Sequence, residues 1–154
     1  MILISHRGNI SGKNPKLENT PAYIDAAIKL DYSVEVDVRV INSEIFLGHD
    51  GPDHEVEPDF LLNRKDHLWI HCKNTEALTY CLKHNLHCFY HNTDDYTMTS
   101  FGYVWSYPGL PKAGTLCISA VPDTVMTKEE VLEQGYFGIC SDYVLEYTEI
   151  INSK

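Results

Sequence analysis

Short runs of β-branched and aromatic residues alternate along this chain with polar stretches in which apolar residues recur at helical spacing. That alternation is the signature of βα units and a mainly parallel sheet. It predicts strands at Ile2–His6, Ser33–Ile41, Leu68–Cys72, His87–His91, Tyr103–Tyr107, Thr115–Ala120 and Phe137–Cys140. Between them, Thr20–Leu30 places Tyr23, Ala26, Ala27 and Leu30 at helical spacing, with Thr20 as N-cap and Pro21 at the first helical position. Thr75–His84 and Thr127–Gln134 read as further helices, the second opened by a Thr127/Glu130 capping box. Glu44–Leu47, after Asn42-Ser43, is expected to fold back on the second strand as a hairpin before delivering His49. The link Pro108–Gly114 is too short and too broken by proline and glycine for a crossover helix, so one helix of the pattern is missing there.

Period-two reading of the strands separates chemistry from packing. Val34, Val36, Val38 and Val40 share one face of the second strand, and Glu35, Asp37 and Arg39 share the other. On the third strand Trp69, His71 and Lys73 lie opposite Leu68, Ile70 and Cys72. A strand of a parallel sheet is buried on both faces, so acids inside one are costly unless a site uses them. The polar groups also gather at strand C-terminal ends: His6, then His71 with Lys73, then His91 with Asn92, then Asp142 after the last strand. Ligands of α/β barrels and open α/β sheets bind at that end.

Composition narrows the partners. With 154 residues and 44% hydrophobic composition the chain can bury one core, so a single domain over 1–154 is expected. The formal net charge of −10 repels nucleic acid and anionic membranes, so a small anionic substrate needs a local cluster of cation and metal. The five cysteines, Cys72, Cys81, Cys88, Cys117 and Cys140, have no metal-knuckle spacing and read as small buried hydrophobes in a reducing compartment. No basic and long apolar leader precedes Ile2, which points to a cytoplasmic protein without membrane insertion.

The ordered motifs resemble the glycerophosphodiester phosphodiesterase (GDPD) family, metal-dependent TIM-barrel enzymes, collinearly over most of the chain. His6-Arg7-Gly8 is similar to the family's opening motif, Glu18-Asn19-Thr20-Pro21 to the motif that begins its first helix, and Glu35-Val36-Asp37 to its metal-binding strand. His49-Asp50 resembles its second histidine motif, and Gly138-Ile139-Cys140-Ser141-Asp142 its closing strand. Two departures stand out. The family's Glu-x-Lys on the third strand is His71-Cys72-Lys73 here, and the chain is well short of the roughly 250 residues of a typical barrel. The expected fold is therefore α/β, a reduced TIM-type barrel of about seven mainly parallel strands, with an edge that dimerisation or a loop must cover.

The resemblance implies a phosphoric diester hydrolase acting on a small glycerophosphodiester, with His6 and His49 as the acid/base pair in either order. Glu35 and Asp37 would hold Mg²⁺ or Ca²⁺. His71 stands between ligation and packing; as a ligand it makes the site less negative and better suited to Mn²⁺ or Zn²⁺. Arg7 and Lys73 supply the positive charge for phosphate, and Glu18 and Asn19 orient Arg7 or the metal site. Residues in His91–Tyr107 would recognise the alcohol, with Trp105 more readily read as core, while His54, His67, His84 and His87 are expected to be solvated. Two further readings stand beside hydrolysis: a non-catalytic phosphate- and metal-binding module, and a lyase that stops at a cyclic phosphate.

Overall fold

A computed structural model of the chain describes residues 1–153. Its elements are β1 (Ile2–His6), α1 (Pro21–Lys29), β2 (Ser33–Ile41), β3 (Glu44–Leu47), β4 (His54–Val56), α2 (Pro58–Leu62), β5 (Leu68–Cys72), α3 (Thr75–Lys83), β6 (Cys88–Phe89), β7 (Tyr96–Met98), β8 (Val104–Ser106), β9 (Cys117–Ala120), α4 (Lys128–Glu133), β10 (Gly138–Ser141) and α5 (Val144–Asn152). The first, second and third expected strands match β1, β2 and β5 residue for residue. Thr20 caps α1 by accepting from Tyr23 N, and the Thr127/Glu130 capping box opens α4.

Seven strands run parallel in the spatial order β6-β5-β2-β1-β10-β9-β8, giving the reduced TIM-type barrel the sequence predicted. β2 is the hub. Its first residues pair with β1, its last four pair antiparallel with β3, and its other edge carries β5 from Val34↔Leu68 to Val38↔Cys72. The barrel is not closed by a ladder. Among the described residues β6 pairs with β5 alone, and the gap to β8 is spanned by Ser100 N donating to Cys88 O at 2.7 Å. β7, antiparallel to β8, belongs to the same intervening segment, so a loop of this chain covers the edge.

Pleating sorts side chains into three cores. Val34, Val36, Val38 and Val40 pack outward with Leu68, Ile70, Cys72 and residues of α1 and α3. Ile4, Trp69, Phe89, Trp105, Ile118 and Cys140 fill the barrel interior, and Ile139 packs with Val131 and Tyr147 beneath α4 and α5. The link from β8 to β9 carries no helix, as its prolines and glycines required. Four elements were not legible in advance: β4, α2, β7 and α5. Among the described residues, no helix is long and apolar enough to cross a membrane.

Candidate active site

The site begins where β1 ends. Arg7 and Asn19 both adopt left-handed backbone, at φ 55 and φ 59, a conformation uncommon for residues with a side chain. Each is fixed by neighbours. Arg7 N donates to Glu35 O at 3.0 Å, and Asn19 N donates to Arg7 O at 3.0 Å. Asn19 then grips β2 in both directions: Nδ2 donates to Asp37 Oδ2 at 2.9 Å, and Asp37 N donates to Asn19 Oδ1 at 3.0 Å. Gly8, at φ 91, completes the turn against α1, where a Cβ would stand 2.8 Å from Tyr23 Cδ1.

Those turns bring five charged or titratable groups around two buried acids. Glu35 is 2% exposed and Asp37 is 0% exposed. Arg7 Nε lies 3.0 Å from Asp37 Oδ2, Lys73 Nζ 3.7 Å from Asp37 Oδ1, and Arg7 Nη1 donates to Glu18 at 3.2 Å. His71 Nδ1 sits 3.3 Å from Asp37 Oδ1 and 3.8 Å from Glu35 Oε1. Burial alone would raise both carboxyls. For Asp37 the contact with His71 and the charge of Arg7 overcome it, and the pKa falls well below the usual range. For Glu35 burial and the neighbouring Asp37 charge prevail over His6, Arg7 and His71, and the pKa is raised.

His6 is held from behind. Its Nδ1 is 2.8 Å from Asp142 Oδ1, and its Nε2 is 4.0 Å from Glu35 Oε2. Asn9 Nδ2 donates to the same Asp142 oxygen at 2.7 Å and to Glu18 Oε1 at 3.0 Å, tying both ends of the chain to the site. Burial disfavours the imidazolium, but the Asp142 hydrogen bond and the Glu35 charge outweigh it and raise the His6 pKa. Neither Asp142, noted only as a strand-end acid, nor Asn9 was assigned a role from sequence. The signal for Asp142 was its place at the end of the closing strand; for Asn9 there was none.

These residues fit a divalent cation. Glu35, Asp37 and His71 offer ligand atoms within 4.8 Å of one another. Glu35 Oε2, Asp37 Oδ1 and His71 Nε2 are buried without a hydrogen-bond partner, the condition a ligand relieves.

A cavity of about 340 Å³ opens beside them, lined by His6, Arg7, Glu35 and His71 and by His91, Asp94, Thr97, Trp105 and Tyr107. His91 stacks on His71 with ring centroids 4.7 Å apart. Trp105 is core, as expected, though one edge reaches the cavity wall. Val121, a β-branched residue at φ 36, also lines the cavity in strained backbone.

His49 lies elsewhere. Its side chain is 41% exposed, 2.7 Å from Asp50, and outside the cavity lining. Arg39, which shares a strand face with the acids, turns away from them and donates to the carbonyls of Gly48, Gly51 and His49, the last at 2.7 Å. The loop is thereby pinned at the same end of the barrel, and the charges of Arg7 and Lys73 contribute to lowering the Asp50 pKa after the dominant hydrogen bond from His49. His87 corrects an expectation: it is buried at the other end of the interior, bonded to Thr99 at 2.8 Å and packed on Trp69.

No protein-family model and no curated protein matches the chain. Among solved structures, the fold is similar to the crystal structure of a glycerophosphoryl diester phosphodiesterase from Parabacteroides distasonis ATCC 8503, with a TM-score of 0.55 and 13% identity over 99% of this chain and 86% of that one.

Proposed function

We propose that this protein is a metal-dependent phosphodiesterase that cleaves a small glycerophosphodiester at the mouth of the barrel. One observation supports this above the rest: Glu35, with an unpaired buried oxygen, and a carboxylate-held imidazole, His6, line one cavity beside Arg7 and His71, and the unpaired Asp37 Oδ1 lies 3.3 Å from His71 Nδ1. Glu35, Asp37 and His71 would hold the cation. When bound, it neutralises charge that develops on the phosphoryl oxygens. Arg7 is the bidentate clamp and Lys73 a point charge for the same phosphate.

His6 moves the proton at Nε2. Asp142 at Nδ1 fixes the tautomer and stabilises the imidazolium, the division of labour of a carboxylate-oriented histidine. As base, His6 takes the proton of the attacking hydroxyl while its oxygen bonds to phosphorus; as acid, it returns a proton to the departing alkoxide. His49, on the loop pinned by Arg39, lies outside the cavity lining and would serve the complementary transfer only with its imidazole turned into the cavity. Attack by the neighbouring glycerol hydroxyl yields a cyclic phosphate, which water opens to glycerol phosphate or which leaves as product. Asp94, Thr97 and Tyr107 contact the alcohol.

Purified protein incubated with glycerophosphodiesters and Mg²⁺, Mn²⁺, Ca²⁺ or Zn²⁺, with products followed by phosphorus NMR, tests this reading. Turnover that needs metal and falls on His6→Ala and His49→Ala supports it, and the spectrum distinguishes hydrolase from lyase. No turnover with any of the four ions overturns it. A second reading, a phosphate- and metal-binding module, is favoured by the exposed position of His49. Tight glycerol phosphate binding without product would establish that instead.

A further inference from the structure

The sequence spacing of Cys72, Cys81 and Cys88 has no metal-site signature, yet the fold gathers them. β5 supplies Cys72 and β6 supplies Cys88 on the same outward face, since Cys88 pairs with Ile70, two residues before Cys72. α3 crosses that face and adds Cys81. All three Sγ atoms lie within 4.8 Å of one another, and the residues are at most 1% exposed.

We propose that Cys72, Cys81 and Cys88 form a three-thiolate site for a soft, closed-shell, monovalent cation of the Cu⁺ class. A planar trigonal ion with metal–sulfur bonds of about 2.3 Å needs sulfurs about 4.0 Å apart, so each pair closes by at most about 0.8 Å from the 4.8 Å bound. The coordination number selects the ion. The surroundings are apolar, formed by Ile70, Ala77, Leu86 and their neighbours, and supply no fourth cysteine, histidine or carboxylate among the described residues. Structural Zn²⁺ is almost always four-coordinate, whereas soft thiolates alone suit Cu⁺.

Access exists on one side. A surface groove is lined by Cys88, Met98, Leu78, Leu82 and Ser100, and Met98 is 70% exposed. Ser100 Oγ accepts from Cys88 N at 3.0 Å and secures β6 there. On binding, each ligating thiol gives its proton to solvent.

The test is anaerobic titration of the reduced full chain with Cu⁺ and, separately, with Zn²⁺, each against a competing chelator. Sulfur-to-metal charge-transfer absorption and X-ray absorption read the ligands, which distinguishes this site from the oxygen and nitrogen donors at the barrel mouth. The expected result is one Cu⁺ with three sulfur neighbours, and an affinity lowered at least about 100-fold in Cys88→Ser, beyond the usual loss from an outer-sphere change. Cys81→Ala must show the same loss, with near-ultraviolet circular dichroism verifying that both variants are folded. Absence of a sulfur signature, its persistence in both variants, or tighter sulfur-bound Zn²⁺ than Cu⁺ overturns the proposal. Each outcome is independent of diester turnover.

Discussion

The two halves of the barrel are built by different means. In the β1–β2–β5 half, long strands run in register, a valine ladder faces the helices, and the inner face carries Glu35, Asp37 and His71. In the β6–β8 half, strands shrink to two or three residues, β8 reaches β9 without a helix, and large rings fill the interior. Phe89 and Trp105 pack with centroids 4.4 Å apart, and Trp69, His87 and Tyr103 continue the stack towards the barrel floor. Backbone ladders hold the reactive half, and aromatic burial holds the half that shapes the cavity wall. Activity and stability should therefore be separable by side.

On the reactive side, Glu35→Gln is expected to lower kcat/KM at least about 1,000-fold without lowering the thermal transition, because it removes a charge stabiliser and not packing. Assaying initial rates across metal concentrations checks this. His6→Ala should lose about 100- to 10,000-fold in kcat and shift the pH–rate profile. On the aromatic side, Phe89→Ala should cost about 3–5 kcal/mol in urea unfolding, since the site cannot collapse around so large a void. Comparable stability loss in Glu35→Gln and Phe89→Ala would erase the contrast between the halves.

A pH-dependent difference follows from His87, whose pKa burial lowers to about 4 from 6.5. The unfolded chain binds the proton more readily, so native stability is full above the unfolded pKa and falls as pH drops from 6.5 towards 4. The loss is on the order of 1–3 kcal/mol, and His87→Phe should flatten that part of the stability–pH curve. The smallest effect expected is a gain. Without metal, Glu35→Gln removes the cost of burying a charge and the repulsion with Asp37, and should raise the urea midpoint slightly.

The same contrast explains what could be read from the sequence. β1, β2 and β5 were legible because each has enough residues to display a period of two, and alternation placed the acids and His71 on one face. β6 and β7 are too short to show a period, and their residues were spread by the reading over longer strands or loops. Asp142 was visible as a strand-end acid, but its link to His6 depends on the register of β1 against β10. The cysteine cluster and the burial of His87 were hidden for a related reason. Both depend on how separate elements pack, and local spacing carries no record of that.

The pairing of β1 with β10 also sets an order of events during synthesis. His6 and Asp142 are 136 positions apart, and β10, which ends just before Asp142, is the last strand in the sequence. A nascent chain can assemble Glu35, Asp37 and His71 while His6 still lacks the carboxylate that orients it. Under the proposed function, a chain ending before β10 lacks the carboxylate that orients His6 and is expected to show no turnover.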